Sequence, residues 1–259
     1  MKIKRPLPAV LLLLLLLCGC GPKREQYHIP EIPRNSREMR DFTLDEKGRP
    51  AYPGAVFGVD VSEHQGVIDW EKARADGVEF AILRIGYRGY SEGSLQIDGS
   101  FARNYVEARS AGLPVGVYFF SQAVSVEESR EEAAYVLELL DGVPLELPVF
   151  YDWEESSKGR TAGKATSAVG DYALAFCRGV TEGGYEAGVY FNQRYGYSIM
   201  HLEYLTDYSF WIAEYETYQS FGYQTAFWQF SGSGRVDGID VIVDMDLMYA
   251  PEAENEENH

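Results

Sequence analysis

The chain has 259 residues and a formal charge of −17, with 40 acidic side chains against 23 basic ones. That balance excludes nucleic acid as a partner, since its phosphates would repel the protein, and excludes a basic-patch attachment to anionic lipid. The three cysteines and four histidines show no metal-ligand spacing, so neither a metal nor another cofactor is expected.

The N-terminus reads Met-Lys-Ile-Lys-Arg and runs into seven leucines, Leu11 to Leu17. A basic start before a short apolar run is the pattern of a signal peptide, too short for a standard membrane span. It ends Leu17-Cys18-Gly19-Cys20, which resembles a bacterial lipobox. Cys20 fits the lipidated position better than Cys18, because a small glycine precedes it. Residues 1–19 are therefore expected to be a lipoprotein signal, with the mature protein held at a bacterial membrane through Cys20, outside the cytoplasm. Loss of Lys2, Lys4 and Arg5 would take the formal charge from −17 to −20. With Cys20 acylated, Cys177 has no disulfide partner. Residues 20–52 are polar and proline-dotted and read as a flexible tether. On that reading a chain starting near Ala51 should still fold. The last nine residues, 251–259, read as a disordered acidic tail. Residues 53–250 are enough for one substantial core and are expected to be monomeric.

Within that span, strand-like and helix-like segments alternate. Ala55–Val61 is an apolar strand ending near Asp60. Asp69 can cap a short helix through Ala75. Glu79–Gly86 is a second strand. A helix from Phe101 to Ala111 stops at Gly112. Pro114–Phe120 is a third strand, and Ser125 with Glu128 forms a capping box for a helix reaching about Leu140. Leu147–Trp153 is a fourth strand. A helix over Thr166–Thr181 ends at Gly183-Gly184, and Glu186–Phe191 is a fifth strand. The later strands, Phe210–Glu214, Ala226–Phe230 and Val241–Asp244, have too little chain between them for full helices. Repeated strand–helix units with apolar strands imply a parallel sheet. Eight strands suggest a barrel of irregular TIM type, α/β in class. In such barrels chemistry gathers at the C-terminal strand ends.

The most informative stretch is Pro148-Val-Phe-Tyr-Asp152-Trp-Glu154. Residues two apart on a strand share a face, and their stems lie roughly 6–7 Å apart. That is near the separation at which two carboxyl groups flank a glycosidic bond. Other polar groups at strand ends are Asp60, Arg84, Tyr118, Tyr190, Glu214, Gln229 and Asp244. Arg84 is expected to pair with a barrel carboxylate, and His64 to make a structural hydrogen bond.

Five ordered motifs carry a resemblance. They are Gly58-Val-Asp-Val-Ser-Glu-His-Gln-Gly-Val-Ile-Asp-Trp70, Phe80–Gly86, Phe101–Tyr118, Leu147–Glu154, and Phe227–Ser231 with Gly238-Ile-Asp and Val243-Asp244. Together they span roughly residues 55–249, and the chain resembles lysozymes of glycoside hydrolase family 25. The resemblance implies a barrel of five strand–helix units followed by three strands, (β/α)5(β)3. It implies cleavage of the β-1,4 bond between N-acetylmuramic acid and N-acetylglucosamine in peptidoglycan. Glu154 takes the general acid's position, Asp152 that of its strand partner, and Asp60 and Asp244 those of two further pocket acids. Tyr118, Tyr190, Trp211, Trp228 and Gln229 become candidates for contact with peptidoglycan glycan strands. Three departures stand out. Phe119 replaces a frequent histidine, Glu214 a neutral residue, and Asp246 a common asparagine. Two alternatives stay open at this point: a catalytically weak peptidoglycan-binding lipoprotein, and a barrel hydrolase of another polysaccharide.

Overall fold

The computed structural model describes residues 30–250. The expected signal, Cys20, the start of the expected tether and the acidic tail lie outside the described residues.

A two-stranded hairpin comes first, β1 (Thr43–Leu44) with β2 (Pro50–Ala51). The main sheet then begins with β3 (Val56–Val61), helix α1 (Trp70–Ala75), β4 (Phe80–Arg88) and the short β5 (Leu95–Ile97). It continues through α2 (Phe101–Ser110), β6 (Val115–Ser121), α3 (Val126–Leu140), β7 (Val149–Trp153), α4 (Ala168–Glu182), β8 (Ala187–Asn192) and α5 (Gln193–Ser198). The last strands are β9 (Ser209–Ala213), β10 (Phe227–Gly234) and β11 (Val243–Met248).

The strands from β3 to β10, β5 excepted, pair in parallel, and β11 closes the ring antiparallel to both β10 and β3. β5 hangs on the end of β4 as a hairpin outside the ring. The expected (β/α)5(β)3 barrel is therefore the fold. Asp69 caps α1 through Lys72 N at 3.1 Å, as its position suggested. Ser125 accepts Glu128 N at 3.2 Å, but Glu128 Oε2 reaches past the cap to Val124 N at 2.8 Å. β5, α5 and the β1–β2 hairpin have no strong periodicity and were not anticipated. Asp244 stands at the start of its strand, not at the end. Because β11 runs antiparallel, that start faces the same rim as the other strands' C-terminal ends.

Period-two alternation divides the barrel's side chains. Outward residues pack in a large core that includes Val59, Leu83, Phe119, Tyr151, Trp153 and Trp228, joined by Phe176 from α4. Inward residues form a second cluster: Phe80, Ile82, Phe150, Tyr190, Trp211 and Phe227. Rings there meet edge to face, Phe150 with Trp211 and with Phe227 at 5.1 Å each, and Tyr190 with Trp211 at 4.7 Å. Gly58 and Gly188 make room for this plug, since a Cβ at either would come within 2.4 and 2.5 Å of the Phe80 and Phe150 rings. The plug is the apolar floor beneath the rim.

The tether reading fails for residues 30–52. Among the described residues no helix covers the outer face of β9–β11, and the segment before the barrel takes that place. Gln224 N donates to Pro33 O (2.8 Å) and Asn35 Nδ2 to Phe221 O (2.9 Å). Arg37 lies 3.6 Å over the Tyr249 ring. Phe42 packs edge-on against Trp228 at 5.5 Å and beside Tyr52 at 4.9 Å. The composition is polar, but a few apolar side chains (Ile32, Phe42, Tyr52) suffice to cover strands with no helix of their own.

Candidate active site

The rim at the C-terminal strand ends gathers five carboxyl groups. β7 delivers two. Trp153 points outward and anchors the strand end by donating Nε1 to Ala123 O at 2.9 Å, so Asp152 and Glu154 on either side of it turn inward. The backbone at Glu154 is clamped as well. Gln122 Nε2 donates to Glu154 O at 2.7 Å, and Thr161 Oγ1 lies 2.8 Å from Gln122 Oε1 and 3.3 Å from Glu154 O. Gln122 and Thr161 are both fully buried.

The two β7 acids differ in setting. Asp152 is buried, and its Oδ1 has no hydrogen-bond partner among the described residues. Burial holds its carboxyl well above the usual aspartate range, the Glu154 charge adds to that, and Arg84 opposes it. Glu154 is reachable by solvent, yet protein atoms crowd its carboxylate. That desolvation raises its pKa first and the Asp244 charge second. The neighbouring like charge is thus the smaller contribution.

β3 and β11 supply the other three acids, with Asp60 directly opposite Asp244 in the ladder. Asp60 and Asp246 are both buried, and burial first, with neighbouring aspartate charge, lifts both carboxyls well above the usual range. Trp211 Nε1 donates to Asp246 Oδ1 at 2.8 Å. Gln229 ties the layer together. Its Oε1 accepts from Tyr190 and Tyr215 hydroxyls at 2.9 Å each, which leaves Nε2 to donate to Asp60 Oδ2 at 2.7 Å. Asp244 is half-buried, and burial raises it to about 6. Gly232 keeps this wall close: a Cβ there would lie 3.1 Å from Tyr215 Oη and 3.2 Å from Asp244 Oδ1.

The structure brings Glu154, Asp152, Asp60, Asp244, Gln229, Tyr118 and Tyr190 to one rim, but it reassigns several residues. Trp228 is fully buried on the outer face, donating Nε1 to Glu214 O at 2.7 Å, and cannot meet a ligand in the pocket. Its neighbour Gln229 faces inward, so alternation forbids both from lining the pocket. Trp211 faces inward but is buried in the floor under Asp246. Tyr190 is buried with its hydroxyl committed to Gln229. Of the four aromatic candidates, only Tyr118 keeps partial exposure. Arg84 does pair with carboxylates, but with Asp98 at 2.8 Å and Glu63 at 3.2 Å, which lie outside the barrel strands. His64 is exposed; its backbone N–H bonds Ser62 Oγ, and its ring makes no hydrogen bond among the described residues. Glu214 caps its own loop by accepting Ser220 N and Phe221 N. Phe119 packs outward against Phe176, so the missing histidine does not reach the pocket. Cys177 is buried and burial pushes its thiol up, which leaves it inert. Tyr215 and the Gln122–Thr161 clamp carry no sequence motif, and Asp246 showed only as an unusual aspartate.

Residues 59–239 match the family model for glycosyl hydrolases family 25. The uncharacterized protein YegX of Escherichia coli O157:H7 is 29% identical over 209 residues, 77% of this chain and 71% of that one. Lysozyme M1 of Streptomyces globisporus is 28% identical over 211 residues, 75% of this chain and 68% of that one. Among solved structures, the autolysin LytC from Streptococcus pneumoniae, in complex with a synthetic peptidoglycan ligand, superposes with a TM-score of 0.68 at 23% identity. The superposition covers 85% of this chain, which spans about half (52%) of LytC, and it shows a shared fold. The family match covers well over half of the chain, from within β3 through β10, and the chain belongs to glycosyl hydrolases family 25: it is a glycoside hydrolase.

Proposed function

We propose that the protein is a peptidoglycan hydrolase that cuts the β-1,4 bond between N-acetylmuramic acid and N-acetylglucosamine, with Glu154 as general acid and Asp152 assisting. One observation carries the assignment of roles. A solvent-reachable carboxyl with a raised pKa stands two residues from a buried carboxylate that has an unpartnered oxygen. The lysozymes among the relatives, and LytC's peptidoglycan ligand, support the substrate class.

In this reading Glu154 gives its proton to the glycosidic oxygen as the C–O bond breaks. The substrate's own 2-acetamido oxygen closes on the anomeric carbon, and the acetamide N–H donates to Asp152 Oδ1, which has no partner among the described residues. Water then opens that ring at the anomeric carbon, losing a proton to Glu154. This is the substrate-assisted variant of two-carboxylate hydrolysis. Mass analysis of fragments released from purified peptidoglycan tests it. N-acetylmuramic acid at the new reducing end supports the reading, and N-acetylglucosamine there overturns it.

The pH profile follows from the raised pKa of Glu154. The acid works while protonated, so activity is present below its pKa and is lost as pH rises through it. Asp244, raised by burial to about 6, helps hold that proton when it is charged. Asp244→Asn should move the upper limb of kcat/KM to lower pH. An unmoved limb in a folded variant would remove Asp244 from the proton-holding group.

Envelope attachment through Cys20 is part of the proposal and rests on Leu17-Cys18-Gly19-Cys20. Cys20→Ala should shift the protein from the membrane to the soluble fraction, with activity intact; unchanged membrane attachment would count against the anchor.

A further inference from the structure

The hairpin between β4 and β5 carries an exposed aromatic residue that the reading above does not use. Tyr90 is 53% exposed, although the turn that presents it is pinned from two sides. From below, buried Arg88 pairs with buried Glu132 at 2.7 Å and donates to Gly93 O at 2.7 Å and Glu128 O at 2.9 Å. From the side comes Arg160, on the loop that follows Glu154. Its N–H donates to Tyr90 O at 2.8 Å, and its guanidinium lies against Gly93 and pairs with Glu128. Gly93 has φ +71°, and any Cβ there would strike that guanidinium. The Tyr90 ring rests 5.6 Å from Phe120, whose ladder partner is Asp152. The charges of Glu154 and then Asp152 reach the Tyr90 hydroxyl.

A large ring held rigidly and left open to water beside an acid is a ready surface for the apolar face of a sugar. Its side of the rim matters. Glu154 has to touch the leaving-group oxygen, and the Tyr90 turn is tied through Arg160 to the loop that follows Glu154. We propose that Tyr90 is a stacking platform for the sugar on the leaving-group side of the scissile bond. The proposal rests on Glu154 being the general acid.

The test compares two substrates: a soluble glycan oligomer of peptidoglycan, and a glycosyl fluoride of the donor disaccharide, which has no leaving-group sugar. Tyr90→Ala should lower kcat/KM on the oligomer about tenfold further than on the fluoride, mainly through KM. Tyr90→Phe keeps the ring and should stay within threefold of wild type on the oligomer. Equal losses on both substrates, no loss on either, or a Phe variant as weak as the Ala variant would each overturn the platform. Glu154→Gln on the oligomer separates the two readings. If that variant stays active, the general-acid assignment fails; if it is inactive while Tyr90→Ala is unaffected, only the platform fails.

Discussion

Glu154→Gln should abolish most turnover of peptidoglycan while leaving the protein folded. The amide keeps the shape of the side chain but has no acidic proton for the leaving oxygen. General acid help is worth about 10²–10⁴-fold, and the loss should be at least that large. Folding should be spared because Glu154 reaches solvent, while its segment is held through the backbone carbonyl by Gln122 and Thr161. Near-ultraviolet circular dichroism checks the fold, and release of reducing ends from purified peptidoglycan checks the activity. A well-folded variant within threefold of wild type would sink the assignment. Glu154 is favoured over Asp152 as proton donor because the donor has to meet the substrate and be recharged by water. Asp152 lies deeper, with an acceptor oxygen unfilled, a setting that suits binding an N–H.

A protein beginning at Ala51 should be far less stable than one that keeps residues 30–52. The polar composition of that segment suggests a dispensable tether, but its removal would strip Phe42 from Trp228, Arg37 from Tyr249 and the Pro33–Asn35 strip from residues 221–224. Losing a fully buried aromatic side chain costs about 3–5 kcal/mol, and here the half-buried Ile32 and Phe42 leave together with the Arg37 contact. A loss of about 5 kcal/mol is comparable to the whole stability of many domains, about 5–15 kcal/mol. For a domain of this size it would lower the melting temperature by roughly 10–20 °C. Phe42→Ala alone should be milder, about 1–2 kcal/mol, because the ring is only half-buried. Thermal unfolding followed by circular dichroism measures both. A shortened protein that melts with the full-length one would show that the segment rests on the barrel without supporting it.

Much of the fold was legible in the chain because it rests on local patterns. Apolar runs such as Val56–Val61 and Val149–Trp153 fix parallel strands through burial on both faces. Asp69 and Ser125 mark helix starts through the backbone N–H groups they accept. The absence of helix-length segments after α5 correctly implied three bare strands. The same alternation also showed that Trp228 and Gln229 face opposite ways.

The Asp152-x-Glu154 pair was readable because both acids sit on one short segment, where spacing and strand geometry determine their shared direction. The burial of Asp60 and Asp246 on facing strands, the orientation of the Gln229 amide and the use of residues 30–52 as a cover were not readable. Each depends on groups far apart in the chain that only barrel closure brings together. Burial and neighbouring charge set a proton's affinity through distance in space, and β11 meets β3 only once the ring is complete. The sequence by itself determined which elements form and which acids stand at their ends. The tertiary structure decided which of those acids are buried, which stays open to water, and what covers the strands that lack helices.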